Sequence, residues 1–376
     1  MAPKRRAAGH SQTTPAGNEK LLQSTTTRTV ATFLFTLVAA VILGIFLRPT
    51  AQPGNSHEDS PHSRLLSEHA FVVRDLPGRG KGAIAARDIQ QGELLVREPP
   101  LVLLPSAVTA SPNQLIVEAL SRLSPEGVEI FYNLSYVRVP ENLPPAQFAE
   151  RVPLAIFETN AVAAGSNVGL FPTMARLNHG CSHSFNSVYS WRETEGVLTV
   201  HALKAIKKGE ELLTAYFDTR RPRHERRQHL KQVYDFHCTC PSCALPDKQS
   251  RVSDARLVKM SGLQAKLPSW AEGKLDGRDA IQVVRELWSL GDAEGYTSGR
   301  GRLAADAVYV AAAHSDRHGV IGWAELGVKW ATYELGGDSE LAEELRRTAA
   351  EPSSHPMWGR QASMQVGGPD GSATAA

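Results

Sequence analysis

The chain has 376 residues, 42% of them hydrophobic, with a formal net charge of +2, which is ample for one large domain or two ordinary ones. So small a net charge provides no global basic field, and composition gives no reason to expect direct nucleic-acid binding. Only four cysteines occur, which argues against a disulfide-dense secreted scaffold.

Residues 1–28 carry Lys4, Arg5, Arg6, Lys20 and Arg28 against Glu19 alone, and residues 29–47 (TVATFLFTLVAAVILGIFL) carry no charge. As a helix that stretch would span about 28 Å, near the hydrocarbon thickness of a bilayer. The expectation is a cytosolic basic tail (1–28), then a transmembrane helix or signal anchor (29–47) placing the protein in a membrane. Secretion after cleavage of residues 1–50 is the alternative. Residues 48–68, rich in Pro, Ser and His, read as a linker.

From residue 69 short strands joined by tight turns are expected: Phe71–Arg74, Ala83–Ala86 after the glycine loop 78–82, and Glu93–Glu98 after Gln91-Gly92. Residues 113–133 switch to a helical period, with Leu115, Ile116, Ala119, Leu120 and Leu123 on one face and Ser111-Pro112 at its start. This marks a helical insert at about 111–150. The Pro-rich stretch 139–153 reads as a connector, and short strands return from Leu154 to Tyr216. Residues 220–234 read as a helix whose basic run, Arg220 to Arg227, is a solvated face. Segments 254–266, 278–290, 302–313, 321–335 and 339–349 read as helices broken by glycine, a tetratricopeptide-like region over 254–350 without a clean 34-residue repeat. Residues 351–376 read as a disordered tail.

Chemistry enters with the cysteines. Cys238-Thr239-Cys240-Pro241-Ser242-Cys243 forms a C-x-C-x-x-C cluster, and Cys181 stands alone far upstream. Together they supply the four thiolates of one closed, structural zinc site shared between distant segments. Buried free thiols or two disulfides are the alternatives.

Arg176-Leu177-Asn178-His179-Gly180-Cys181 resembles the N-H-x-C signature of SET-domain lysine methyltransferases. Ala202–Leu212 is similar to that family's A-x-x-x-I-x-x-G-E-E-L run, and Thr214–Asp218 to its late tyrosine motif. Tyr234–Cys243 resembles its post-SET zinc motif, and the glycine loop with Ile84–Ile89 its N-terminal opening. The match spans about 70–244 in motif order and is of SMYD-like and fungal SET type, without the zinc-binding MYND insert. The resemblance implies a mixed α/β fold: a β-rich SET domain (69–219) with the helical insert, a post-SET zinc segment (220–245), then the helical C-terminal region. It further implies an S-adenosylmethionine-dependent protein-lysine N-methyltransferase with structural zinc, acting on a lysine of a protein substrate. By motif, Arg79, Gly80 and Lys81 would offer backbone groups to the methionine end of the cofactor. Asn178 and His179 would hold its amino and adenine groups, Phe236 would pack on the adenine, and Asn160 would support the same pocket. Tyr216 would sit at the point of methyl transfer, and Cys181, Cys238, Cys240 and Cys243 would bind the zinc. Gly180 stands where the family commonly has Ser, which is expected to loosen the loop. A non-catalytic SET and helical-repeat interaction module is the alternative function.

Overall fold

In the computed structural model, which describes residues 70–107, 110–140 and 142–370, β1 (Phe71–Leu76) pairs antiparallel with β2 (Gly80–Ala85), Phe71 opposite Ala85. The connection turns on Gly78 and Gly80 at φ +69° and +64°, a region side chains resist. β3 (Leu94–Glu98), β8 (Ser187–Arg192) and β9 (Val197–Ala202) form an antiparallel sheet with β9 in the centre. Every residue of β9, sequence VLTVHA, is buried, as suits a central strand covered on both faces. A second sheet orders β4 (Val102–Pro105), β6 (Asn167–Leu170) and β5 (Val162–Ala164) as β4-β6-β5. β7 (Asn178–His179) and β10 (Leu213–Thr214) pair in parallel, bringing two distant segments side by side.

The insert holds α1 (Pro112–Ser121), α2 (Pro125–Tyr132) and α3 (Pro145–Asn160). The single helical period expected over 113–133 is thus two helices. Ser124 accepts from the Gly127 N–H at 3.2 Å and Pro125 opens α2, a capping pair that starts a new helix. The proline-rich connector over 139–153 is also corrected: Pro145 begins α3 and Pro153 lies inside it. Proline is tolerated in a first turn, where its missing N–H has no partner to lose. Ile116, Phe131, Val152 and Ile156 pack with Val102 and Leu170 beneath the insert.

Beyond the sheets come α4 (Arg223–Tyr234), α5 (Asp247–Lys266), α6 (Gly277–Glu294), α7 (Arg300–Ala313), α8 (Arg317–Leu335) and α9 (Glu340–Ala350). The last five share one core, with Leu257, Ile281, Leu287, Val308 and Trp323 in it.

No helix among the described residues is long and apolar enough to cross a membrane, and this corrects the expected single-pass membrane location. α5 spans 20 residues but carries Lys248, Arg251, Asp254, Arg256 and Lys259 along its length, charges too costly for hydrocarbon. The stretch 29–47, on which that expectation and its secreted alternative rested, lies outside the described residues.

The disordered tail is corrected for residues 351–370. The fully buried Asp316 caps α8 by accepting from the Gly319 N–H at 3.0 Å, and its other oxygen accepts from Val366 and Gly367 N–H, both at 2.8 Å. Trp323 Nε1 donates to the Gly367 carbonyl at 3.0 Å, and Val366 is buried in the helical core. Backbone groups make most of these ties, so the tail's polar composition concealed them. Asp316→Ala removes a cap and leaves buried N–H groups unpaired, an expected loss of about 2–4 kcal/mol. Urea unfolding measures it, and a loss under about 0.5 kcal/mol, the usual size for surface changes, would contradict the tie.

Candidate active site

Cys181 follows β7, while Cys238, Cys240 and Cys243 follow α4, whose last residue gives way to Asp235 at φ +56°. The four sulfurs lie within 4.8 Å of one another. Cys181 Sγ stands 4.0 Å from Cys238 Sγ and 3.6 Å from Cys243 Sγ, far beyond the ~2.05 Å of a disulfide bond. The thiols are free, and four sulfurs gathered this way suit one tetrahedral zinc.

The surroundings test that fit. A divalent ion on four thiolates leaves two net negative charges, which a buried cation would offset. Arg226 of α4 is fully buried, and its Nε and Nη2 have no hydrogen-bond partner among the described residues. Burial opposes its charge, but Cys181, Cys243 and Asp254 raise its pKa above the usual arginine value. Arg227 donates to the carbonyls of Cys238 and Cys243 at 3.2 and 2.9 Å, and Arg223 to that of Leu245 at 2.7 Å. The expected solvated face of this helix is therefore corrected: its arginines hold the cysteine loop. Helical periodicity located the face, but nothing in it revealed the loop that would cover it.

Beside the cluster lies a cleft of about 570 Å³ lined by Arg79, Gly80, Lys81, Asn160, Asn178, His179, Tyr216 and Phe236. All the non-metal residues singled out from the sequence are thus together. A second cavity of about 200 Å³ shares Thr159, Asn160, Ala175, Tyr216 and Tyr234 with the first. The two meet around Tyr216, and the smaller is otherwise lined mainly by Val162, Met174, Leu177 and Tyr189.

Asn178 Nδ2 donates to the Lys81 carbonyl at 3.2 Å and to Glu211 Oε1 at 2.9 Å. With its donors engaged, Oδ1 remains as an acceptor. Glu211 also binds Arg79, Oε2 to Nη1 at 2.7 Å, so the Arg79 guanidinium is tied back along the glycine hairpin. A Cβ on Gly82 would come within 2.9 Å of both Asn178 Nδ2 and Glu211 Oε1, so only glycine permits this approach.

His179 is buried, and burial pushes its pKa down to about 4. Its Nδ1 accepts from the Tyr216 N–H at 3.1 Å, so the proton of the neutral ring sits on Nε2, 3.1 Å from Cys181 Sγ. Both ring nitrogens are engaged, and the ring stacks on Phe217 at 5.4 Å. What His179 can offer a ligand is its backbone. Gly180 N–H donates to Thr214 in the parallel pair, and alternation along a strand turns the His179 backbone groups the other way.

The Tyr216 hydroxyl donates to the Leu177 carbonyl at 3.0 Å. Burial pushes its pKa well above the ordinary tyrosine value, with Tyr234 and Glu211 adding to the shift. Tyr234 packs against it at 5.0 Å between ring centroids, its own pKa raised to about 12 by burial. Asn160 Nδ2 donates to the Ser135 and Ile156 carbonyls, both at 2.7 Å, fixing the end of α3 at the shared wall.

Sequence reasoning missed Glu211, Tyr234 and Tyr189. The first two stood inside motif runs that were read without assigning them a role. Tyr189 lies in β8, whose sequence SVYSWR gave no signal.

Gly180 does not loosen the loop. A Cβ there would sit 2.8 Å from the Phe185 nitrogen and 3.0 Å from the Ser184 carbonyl carbon, because the chain turns back over it. Gly180→Ser should therefore destabilise the protein by about 1–3 kcal/mol, the range for overpacking a tight site. Denaturant unfolding reads this, and unchanged stability would show that the turn yields freely.

Residues 80–217 match the SET domain family. The histone-lysine N-methyltransferase set5 of Schizosaccharomyces pombe is 28% identical over 76% of this chain and 86% of that protein. The histone-lysine N-methyltransferase SMYD3 of Mus musculus is 35% identical, but over 24% of this chain and 20% of its own length. The chain thus spans most of the first relative and about a fifth of the second. A solved structure, Rubisco LSMT bound to AdoMet, overlays with a TM-score of 0.32 and 11% identity, covering 78% of this chain and 92% of that one. That likeness is too loose to bear on the assignment. The motif-bearing strands and the matched relatives agree: residues 80–217 form a SET domain, and the chain is similar to protein-lysine methyltransferases that carry one.

Proposed function

We propose that this chain transfers a methyl group from S-adenosylmethionine to a lysine of a protein substrate, and that Cys181, Cys238, Cys240 and Cys243 hold a structural zinc. The observation that carries the reading is the meeting of two cavities at Tyr216. The names of the set5 and SMYD3 relatives, both histone-lysine N-methyltransferases, support lysine as the acceptor.

The larger cleft suits the cofactor. Asn178 Oδ1 is free to accept from an ammonium group, the Phe236 ring offers a face to a purine, and the Arg79–Lys81 and His179 backbones offer polar groups beside them. When bound, S-adenosylmethionine supplies a methyl group already made electrophilic by sulfonium, so alignment and exclusion of water are the protein's share. Lysine has a free pKa of about 10.4 and must lose a proton to attack. Enclosure of the amine in the smaller cavity, away from bulk water, would lower that pKa by desolvation.

Tyr216 orients rather than deprotonates. Its own proton points to Leu177, leaving oxygen lone pairs to accept from the amine N–H. Its raised pKa keeps the hydroxyl protonated through the physiological range.

Methyl transfer from labelled S-adenosylmethionine to candidate proteins tests the reading. Tyr216→Phe should lower kcat on the order of 100-fold, the scale for one oriented catalytic hydrogen bond, while cofactor affinity changes little. Equal activity in parent and variant would overturn the role of Tyr216. Elemental analysis should find one zinc per chain, and Cys181→Ser should lose the metal and the fold's thermal stability together. Metal-free protein of full stability would refute the zinc assignment.

A further inference from the structure

The turn that follows Cys181 is held from several sides. Ser182 has φ +45°, a strained value for a non-glycine residue that persists only under outside support. Its N–H donates to Thr219 Oγ1 at 3.1 Å, Lys204 Nζ donates to the His183 carbonyl at 2.7 Å, and Ser242 Oγ donates to the Cys181 carbonyl at 2.7 Å. These partners belong to the catalytic half of the chain.

One charged support comes from the C-terminal helices. Ser182 Oγ donates to Glu294 Oε1 at 2.7 Å. Glu294 is the last residue of α6 and is only 4% exposed. Its carboxylate also accepts from Ser253 Oγ at 2.5 Å and Arg256 Nε at 2.9 Å, both on α5, and lies 4.0 Å from His183 Nδ1. A Cβ on the next residue, Gly295, would stand 3.2 Å from His183 Cβ, so the helix end is seated against the turn. Burial opposes the charge, yet the donors from His183, Ser253, Ser182 and Arg256 bring the pKa of Glu294 down to about 2, leaving it ionised.

We propose that Glu294 is a positioning residue for the methyl-transfer site, through which the C-terminal helical region fixes the turn carrying Cys181. From Cys181 the constraint passes to Asn178 and His179 along β7, and through the His179 ring to the Tyr216 backbone. Its bearing on methyl transfer rests on the function proposed above. A purely structural Glu294 would tie only α5 to α6, through Ser253 and Arg256.

Ser182→Ala separates the two, since it cuts only the tie to the turn and leaves both α5 contacts in place. The full-length protein, Glu294→Ala, Ser182→Ala and their double variant are compared by amide hydrogen exchange over residues 178–186 and by calorimetric titration with S-adenosylmethionine. Ser339→Ala, which removes the α9 cap remote from the turn, is the control for general destabilisation. Each single variant should exchange about tenfold faster in this segment and bind the cofactor about tenfold more weakly, the scale of one charge-assisted hydrogen bond. The double variant should be no worse than Glu294→Ala, and Ser339→Ala should alter neither reading. Normal exchange and affinity in Ser182→Ala would overturn the proposal, as would additive losses in the double variant. Should the parent bind no cofactor, the function proposed above fails, while hydrogen exchange still decides the positioning role.

Discussion

Leu213 opposite Asn178 and Thr214 opposite His179 make a parallel pair two residues long, and a ladder so short cannot hold itself together in water. Side chains from both segments do the holding. Asn186 receives the Leu213 N–H and donates to the Glu211 carbonyl, Asn178 reaches Glu211, and the His179 ring joins Cys181 to the Tyr216 backbone. The four cysteines gather at the far end of β7, beside the segment after α4. Cleft, tyrosine and sulfur cluster therefore depend on one junction. A disturbance at any of its ties reaches the others through contacts of about 3 Å, the ordinary hydrogen-bond length.

Buried and half-buried charges around this junction have a common use. Glu98 receives the N–H groups of Thr173 and Met174 ahead of the motif, Glu211 gathers Arg79 and Asn178, and Arg226 faces the thiols. Glu294 adds the helical region to the same set. Isolated buried ions are unfavourable, but each of these contacts segments far apart in sequence, and a paired buried charge is a specific way to set their register. Apolar packing alone would leave the segments free to slide by small amounts.

The residues of the candidate cleft could be picked out in the sequence because they stand in short runs, Leu177–Cys181, Glu210–Tyr216 and Tyr234–Cys243, that resemble the motifs of a known family. What escaped notice works across distance. Glu294 looks like an ordinary helix-end acid until Ser182 is placed beside it, and Arg226 looks solvated until the cysteine loop covers it. Asp316 capturing the backbone of Val366 and Gly367 is the same case, since a polar tail gives no pattern when its N–H groups make the contact. Strand and helix periods gave the alternation of β-rich and helical regions, and they failed where proline chemistry decided, at Pro125 and Pro145. Apolar composition at 29–47 suggested a membrane location, yet the described helices bury their apolar faces against one another and keep charges along their lengths.

We propose that the cleft between the glycine hairpin and the cysteine loop receives S-adenosylmethionine through Asn178. Calorimetric titration of the full-length protein and of Asn178→Ala with that cofactor tests it most directly. The expected result is one-to-one binding in the parent and affinity weakened by about tenfold or more in the variant, the value of a hydrogen bond to a charged group. Identical affinity in the two proteins, or no binding by the parent, would contradict it.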